Sequence, residues 1–218
     1  MSWLRPSLLG RGKVWHTEAH DWYGRAVFVQ RAAIRPVPPY AIVDENAVGH
    51  LEESLAENQD ALQEMLDTGY RELDRQQPTL AQYLAAEVSG RSDELAQSVG
   101  YFLVVAVYLA FKEAFPTRLG SVDQDALRAA LFSLETDEEL RAEDPREVLD
   151  SDDVVAMGQP AVLEFVQHHL QEAVEQSGED ASLEDLDRIY RAVLVEVIAL
   201  THAVSSPTGS PPGSEVLA

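Results

Sequence analysis

The amino-acid sequence predicts an all-α fold: a bundle of six or seven helices, with an irregular N-terminal arm before it and a disordered C-terminal tail after it. Three observations predict it. From Asp44 onward, Leu51, Leu55, Leu62, Met65, Leu66, Tyr70 and Leu73 recur at intervals of three, four and seven, the spacing of one helix face. The thirteen residues Val99 to Phe111 carry no charge, so a helix there has no polar side and needs neighbours all round. Lastly, Gln77-Pro78-Thr79-Leu80 followed by Tyr83-Leu84 is matched by Gln159-Pro160-Ala161-Val162 followed by Phe165-Val166. This is the mark of a candidate internal repeat of two helix pairs, with residues 92–115 and 182–204 packed together in the centre.

At 218 residues and 45% hydrophobic composition, one main domain is expected, burying roughly 70% of the surface its unfolded chain exposes. Residues 1–40 read as a basic, Trp-rich arm. Arg5 and Pro6 break the apolar start, which does not match a signal peptide. Residues 25–34 suit a short strand or a helical turn, and Pro36-Val37-Pro38-Pro39 is stiff and extended by proline geometry. The helical domain is therefore placed at residues 41–204.

Within it, Pro78 stands at a first helical position, where its missing N–H costs no bond. That helix closes at Ser89-Gly90, and Ser92-Asp93 opens the next, which Pro116 stops. The uncharged middle of this helix is shorter than the ~20 residues a bilayer needs, and Asp93, Glu94 and Lys112 bound it. It reads as the central buried helix. Ser121-x-x-Gln124 reads as a capping pattern for a helix through Leu134, and Thr136-x-x-Glu139 for a short one after it. Residues 135–153 hold ten carboxylates and two arginines and read as a solvated surface with few core contacts. Pro160 begins a helix to about Gln176. Ser182-x-x-Asp185 resembles a capping box for the last helix, with Leu183, Leu186, Ile189, Tyr190, Val193, Val197 and Leu200 on its apolar face. The tail, residues 205–218, is rich in Ser, Pro, Thr and Gly, a composition that does not build a core.

The net charge is −22, with only two lysines among sixteen basic residues. Such acidity argues against nucleic acid and against anionic membrane surfaces as partners. Three readings remain: adaptation to a salty cytoplasm, which the halophilic-like composition resembles; an acidic face that docks a basic partner; and ordinary mesophilic acidity. The charge is unevenly spread, +4 over residues 1–35 and −26 over the rest. Trp3, Trp15 and Trp22 all lie in the basic arm. Three indoles are costly to leave in water, so they are candidate partner-binding residues.

Chemical motifs are sparse. With no cysteine there are no disulfides, thiolate metal sites or cysteine nucleophiles. His16, Glu18 and His20 form the most suggestive metal-ligating cluster, since His16 and His20 would share a helix face. Glu at the third place fits neither HExxH nor HxxEH, and Gly10, Gly12 and Gly24 flank the stretch. His168 and His169 point about 100° apart on a helix, so one is expected at solvent and the other at the core edge. His50 and His202 read as partly buried, hydrogen-bonded imidazoles. Glu113 and Glu196 stand among apolar residues and are candidate buried acids with raised pKa. Asp150-Ser151-Asp152-Asp153 lacks an EF-hand's glycine and closing glutamate and reads as an acidic helix start. No Glu-x-x-His, phosphate loop, nucleophile elbow or dinucleotide fingerprint occurs.

The expectation is thus a cytoplasmic, non-enzymatic helical module that binds protein or self-associates, with no cofactor. A small-ligand binder or enzyme with an inter-helix pocket is the first alternative, and a metal-binding protein through the N-terminal histidines the second. Val105→Asp, in the middle of the uncharged helix, is expected to unfold the domain, because an unpaired buried charge costs several kcal/mol against a total stability of about 5–15. Circular dichroism showing parent-like melting would refute the central placement.

Overall fold

The computed structural model divides the chain into a unit Met1–Arg31 and a unit Ala32–Ala218. It describes residues 33–57, 61–90, 93–143, 150–177 and 182–207, all in the second unit. Among these there are eight α-helices, one or two more than the sequence pattern suggests. They are α1 Glu45–Glu57, α2 Leu62–Gln76, α3 Pro78–Ser89, α4 Glu94–Ala114, α5 Gln124–Glu143, α6 Ser151–Gly158, α7 Pro160–Ser177 and α8 Leu183–Ala203. The apolar run from Leu51 to Leu73 falls on two helices, and α6 is an element of its own. In contrast, the two helices expected across residues 124–143 are one. Asp123, not Ser121, caps α5 by accepting the Ala126 N–H.

Helices α4 and α8 lie side by side and make the largest helix contact of the domain. They run parallel. At their N-terminal ends Asp93 accepts the Ser182 N–H, and Asp185 accepts the Asp93 N–H. Ser182 Oγ accepts the Asp185 N–H, the N-cap bond that the sequence pattern suggests, while the Asp185 carboxylate also reaches across to the other helix. At their C-terminal ends Leu119 bridges Val204, and the Gly120 N–H donates to the Ala203 carbonyl. By length and composition α4 could cross a membrane, but its apolar side chains are taken up by α1, α2, α3, α7 and α8.

The repeat is real and extends beyond the Gln-Pro pairs. Both central helices have 21 residues, with N-caps Asp93 and Ser182 and C-caps Phe115 and Val204. The two are offset by 89 residues, and Tyr101 and Tyr190 keep that register. Every buried residue of α4 has a buried counterpart 89 places on in α8. The other helices pair likewise: α1 with α5, α2 with α6, and α3 with α7. Thus α1, α4 and α7 pack on one another as α5, α8 and α3 do.

The equivalent glutamines explain why the repeat is there. Gln159 is wholly buried. Its Nε2 donates to the Ala41 carbonyl and to Thr201 Oγ1, while its Oε1 accepts the Val43 N–H. Gln77 does the same for the other half, donating to the Gly120 carbonyl and accepting the Val122 N–H. Each amide thus pairs with residues n and n+2 of an extended segment, as a neighbouring β-strand would. Each segment then enters a helix through an aspartate cap, Asp44 for α1 and Asp123 for α5. The segment held by each glutamine belongs to the opposite half, so the halves are latched reciprocally.

Residues 33–44 form a strap that belongs with the helices rather than with an arm ending at residue 40. Ile34 is 6% exposed, and Ala41 and Val43 are buried. Asp137 fixes the start of the strap by accepting the Ala33 N–H, and it also accepts Ser151 Oγ–H and pairs with Arg141. The acidic stretch 135–153 therefore contains a fully buried carboxylate, which its composition conceals.

Gln159→Ala leaves a buried N–H and carbonyl without partners, and is expected to cost about 2–4 kcal/mol. Gln77→Ala, which loses one bond fewer, is expected to cost somewhat less. Denaturant unfolding measures both, and a loss below about 0.5 kcal/mol for each would refute the latches.

Candidate functional site

The two halves offer an internal comparison: where the fold places equivalent residues, a difference in chemistry is not required by the fold. The clearest difference lies where α3, α5 and α8 meet. In the twin junction of α7, α1 and α4, Phe102, Phe165 and His169 pack ring to ring, with centroid separations of 4.4–6.1 Å. Burial lowers the His169 pKa, with His168 adding to it. Val107 lies buried nearby in sequence.

The equivalents of these four are Arg191 for Phe102, Tyr83 for Phe165, Glu87 for His169 and Glu196 for Val107. The three rings of that cluster are exchanged for three ionisable side chains, and a buried valine for a buried glutamate. Arg191 grips Glu138 of α5 through three hydrogen bonds of 3.0–3.2 Å. Tyr83 is half-buried. Burial, reinforced by the charge of Glu87, pushes its phenol up to about 12, and Arg191 and Glu196 also act on it. Glu196 has no exposed surface, and neither carboxyl oxygen has a hydrogen-bond partner. Burial alone holds its carboxyl well above the ordinary carboxylate range.

Of the two acids singled out in the sequence, only Glu196 is buried. Glu113 is exposed in the last turn of α4, 3.9 Å from His50 Nδ1 on α1; apolar neighbours in sequence placed it near the core, but its helix face points outward. His50 and His202 are likewise exposed rather than half-buried. His168 is exposed and His169 half-buried, both within ion-pair distance of Glu172. Asp150, Asp152 and Asp153 bring carboxylates within 4.8 Å of one another. Asp150 and Asp153 cap α6 reciprocally and Asp152 accepts the Tyr190 hydroxyl, which accounts for the cluster without an ion. His16, Glu18, His20, Trp3, Trp15 and Trp22 lie outside the described residues.

An open groove of about 460 Å³ runs between α2 and α4, lined by Met65, Gly69, Leu109, Glu64, Glu72 and Lys112. Gly69 makes it possible for the helices to come close, since a Cβ there would sit 2.7 Å from Val105 Cγ1. The Glu72–Lys112 ion pair satisfies its charged wall. Among the described residues, none of the acids or histidines singled out in the sequence lines this groove.

No family model, curated protein or solved structure matches the chain. The comparison between its own halves therefore carries the site assignment. Tyr83, Glu87 and Arg191 were not legible as a site, because only the fold brings α3 and α8 together at that register.

Glu196→Val installs the residue that the other half uses. It removes a buried carboxyl without hydrogen bonds, and is expected to stabilise the domain by about 1–3 kcal/mol. Denaturant unfolding at pH 7 measures this; a destabilised variant would show that Glu196 has a partner in solution.

Proposed function

We propose that this chain is a non-enzymatic helical interaction module of the cytoplasm, and that it docks a basic, partly apolar protein segment on the outer layer formed by α5, α6 and α7. The carrying observation is Phe132. Its ring is 69% exposed on α5, and the equivalent position of the other half is the exposed Glu53. The fold thus accepts a charge at this place, and the chain presents an aromatic ring instead. On α5 itself acids outnumber bases, with Arg128, one turn before Phe132, paired to Asp125. Helices α6 and α7 contain no lysine or arginine, and Met157 of α6 is also exposed. An apolar anchor on a net-acidic surface is the pattern that recognises a segment of opposite charge with an apolar face. The scattering of the described histidines supports a binding role over a catalytic one.

A second reading, a small-ligand site between helices, draws support from the unpartnered carboxyl of Glu196.

The test uses a synthetic amphipathic peptide of lysine, leucine and tryptophan, titrated into the full chain by calorimetry. Binding is expected at low salt, to weaken steeply toward about 0.5 M salt, and to fall about tenfold or more with Phe132→Glu. That substitution leaves stability within about 0.5 kcal/mol, since the site is at the surface. Absence of binding to the parent chain at low salt, or equal affinity in the variant, would overturn the assignment of this face.

A further inference from the structure

The strap covers one half of the domain, and the other half lacks such a cover. Residues 33–37 are fixed along α6 at two places. At its start Asp137 accepts both the Ala33 N–H and the Ser151 Oγ–H. At its end Gly158 lets Val37 come close, since a Cβ on that glycine would sit 3.1 Å from Val37 Cβ. Between these points Ile34 is buried in the core. Gln77 and Gln159 set α2 and α6 82 residues apart, so Ser151 and Gly158 correspond to Gly69 and Gln76 of α2. Gly69 lies in the groove between α2 and α4. The entering segments, by contrast, are 79 apart, as the caps Asp44 and Asp123 show. The counterparts of 33–37 are therefore residues 112–116, the end of α4 and its exit. Among the described residues, no segment is left to lie along α2. Burial records the difference: Leu109 in the groove is half-buried, whereas its twin Ile198 is 4% exposed.

We infer that the groove between α2 and α4 binds an extended segment of another protein. The segment lies along α2 as residues 33–37 lie along α6, with an apolar side chain in the place of Ile34 and a cation in the place of Arg35.

The chemistry of the groove selects that occupant. Met65 and Leu109 supply its apolar surface, and its charged lining is Glu64 and Glu72 against Lys112. Lys112 is already paired with Glu72, so the groove is net acidic. The position next to Lys112 adds to this. Glu113 is the twin of His202. Partial burial lowers the His202 pKa, and the charge of Arg35 in the strap lowers it further. Where the covered half sets its strap's cation near an imidazole, the open half thus offers a carboxylate. Pro36, Pro38 and Pro39 keep the strap extended. A partner segment stiffened in the same way loses less freedom on docking. The groove shares no helix with the layer of α5, α6 and α7, so this inference is independent of the one drawn from Phe132.

The experiment uses the strap's own chemistry as the probe. A dye-labelled peptide of residues 32–39 is titrated into the full chain at low salt and followed by fluorescence anisotropy. Binding is expected, and is expected to weaken about tenfold or more with Thr68→Trp, which fills the groove, and with Glu64→Lys. Both residues are exposed, and circular dichroism checks that the variants keep the parent's helicity. Peptides carrying Ile34→Ser or Arg35→Glu are expected to lose a similar factor, while Phe132→Glu in the chain leaves the affinity unchanged. Absence of binding to the parent, or unchanged affinity in both groove variants, would overturn the inference. So would a loss caused by Phe132→Glu, which would move the peptide to the other layer. Sedimentation equilibrium of the chain alone tests the remaining occupant. A dimer that Thr68→Trp splits would put a second copy in the groove and overturn the assignment to another protein.

Discussion

Two largely buried helices running parallel in the middle of the domain are an awkward arrangement, and much of the rest answers it. Parallel packing sets two positive N-terminal ends beside each other and two negative C-terminal ends likewise. Asp93 and Asp185 lie at the first pair, each accepting a backbone N–H at the start of the neighbouring helix. A hydrogen bond to the Ser182 N–H, helped by those to Leu95 and Ala96, keeps the Asp93 carboxyl below its ordinary range, so it stays charged where the charge is useful. At the other end Arg118 donates to the carbonyls of Tyr40 and Ser205. The contact between the helices has its own asymmetry. A Cβ on Gly100 would sit 2.7 Å from Ile189 Cδ1, and Gly100 and Ile189 are equivalent residues. Two isoleucines would collide there and two glycines would leave a void; one of each fills the space.

Duplication gives this chain an internal control that no alignment of other proteins supplies. Positions that serve packing agree between the halves: Leu73 with Val155, Leu84 with Val166, Val104 with Val193, all buried. Positions that depart from their twin toward a costlier residue ask for another explanation. Phe132 is costly because it is wet, Glu196 because it is dry. Tyr108 is a third case, with a buried hydroxyl that has no partner where Val197 stands in the other half.

The sequence exposed the fold class well because periodicity and proline positions act locally. Pro78 and Pro160 both open helices, and the uncharged run Val99 to Phe111 is enclosed. What it hid is set by long-range geometry. Gln77 and Gln159 look like ordinary residues before a proline, and their side-chain bonds to strands 43 to 118 residues away leave no local trace. Asp137 disappears among the acids of 135–153. Glu113 and Glu196 share an apolar sequence setting, and only the helix faces that the fold buries separate them. Ser121 and Thr136 carry capping signals, but tertiary context starts α5 at Asp123 and runs it past Thr136.

The exchanged straps also order events during synthesis. A strand held by its own half could settle as soon as that half left the ribosome. Here the strap at 41–43 waits for Gln159, 116 residues downstream of the Val43 amide it receives. The first four helices must therefore emerge and dwell with an unfinished edge until most of the chain has been made. A nascent chain of this kind is most exposed to misassembly midway through translation, and its long net-negative surface offers like-charge repulsion against neighbouring copies during that interval.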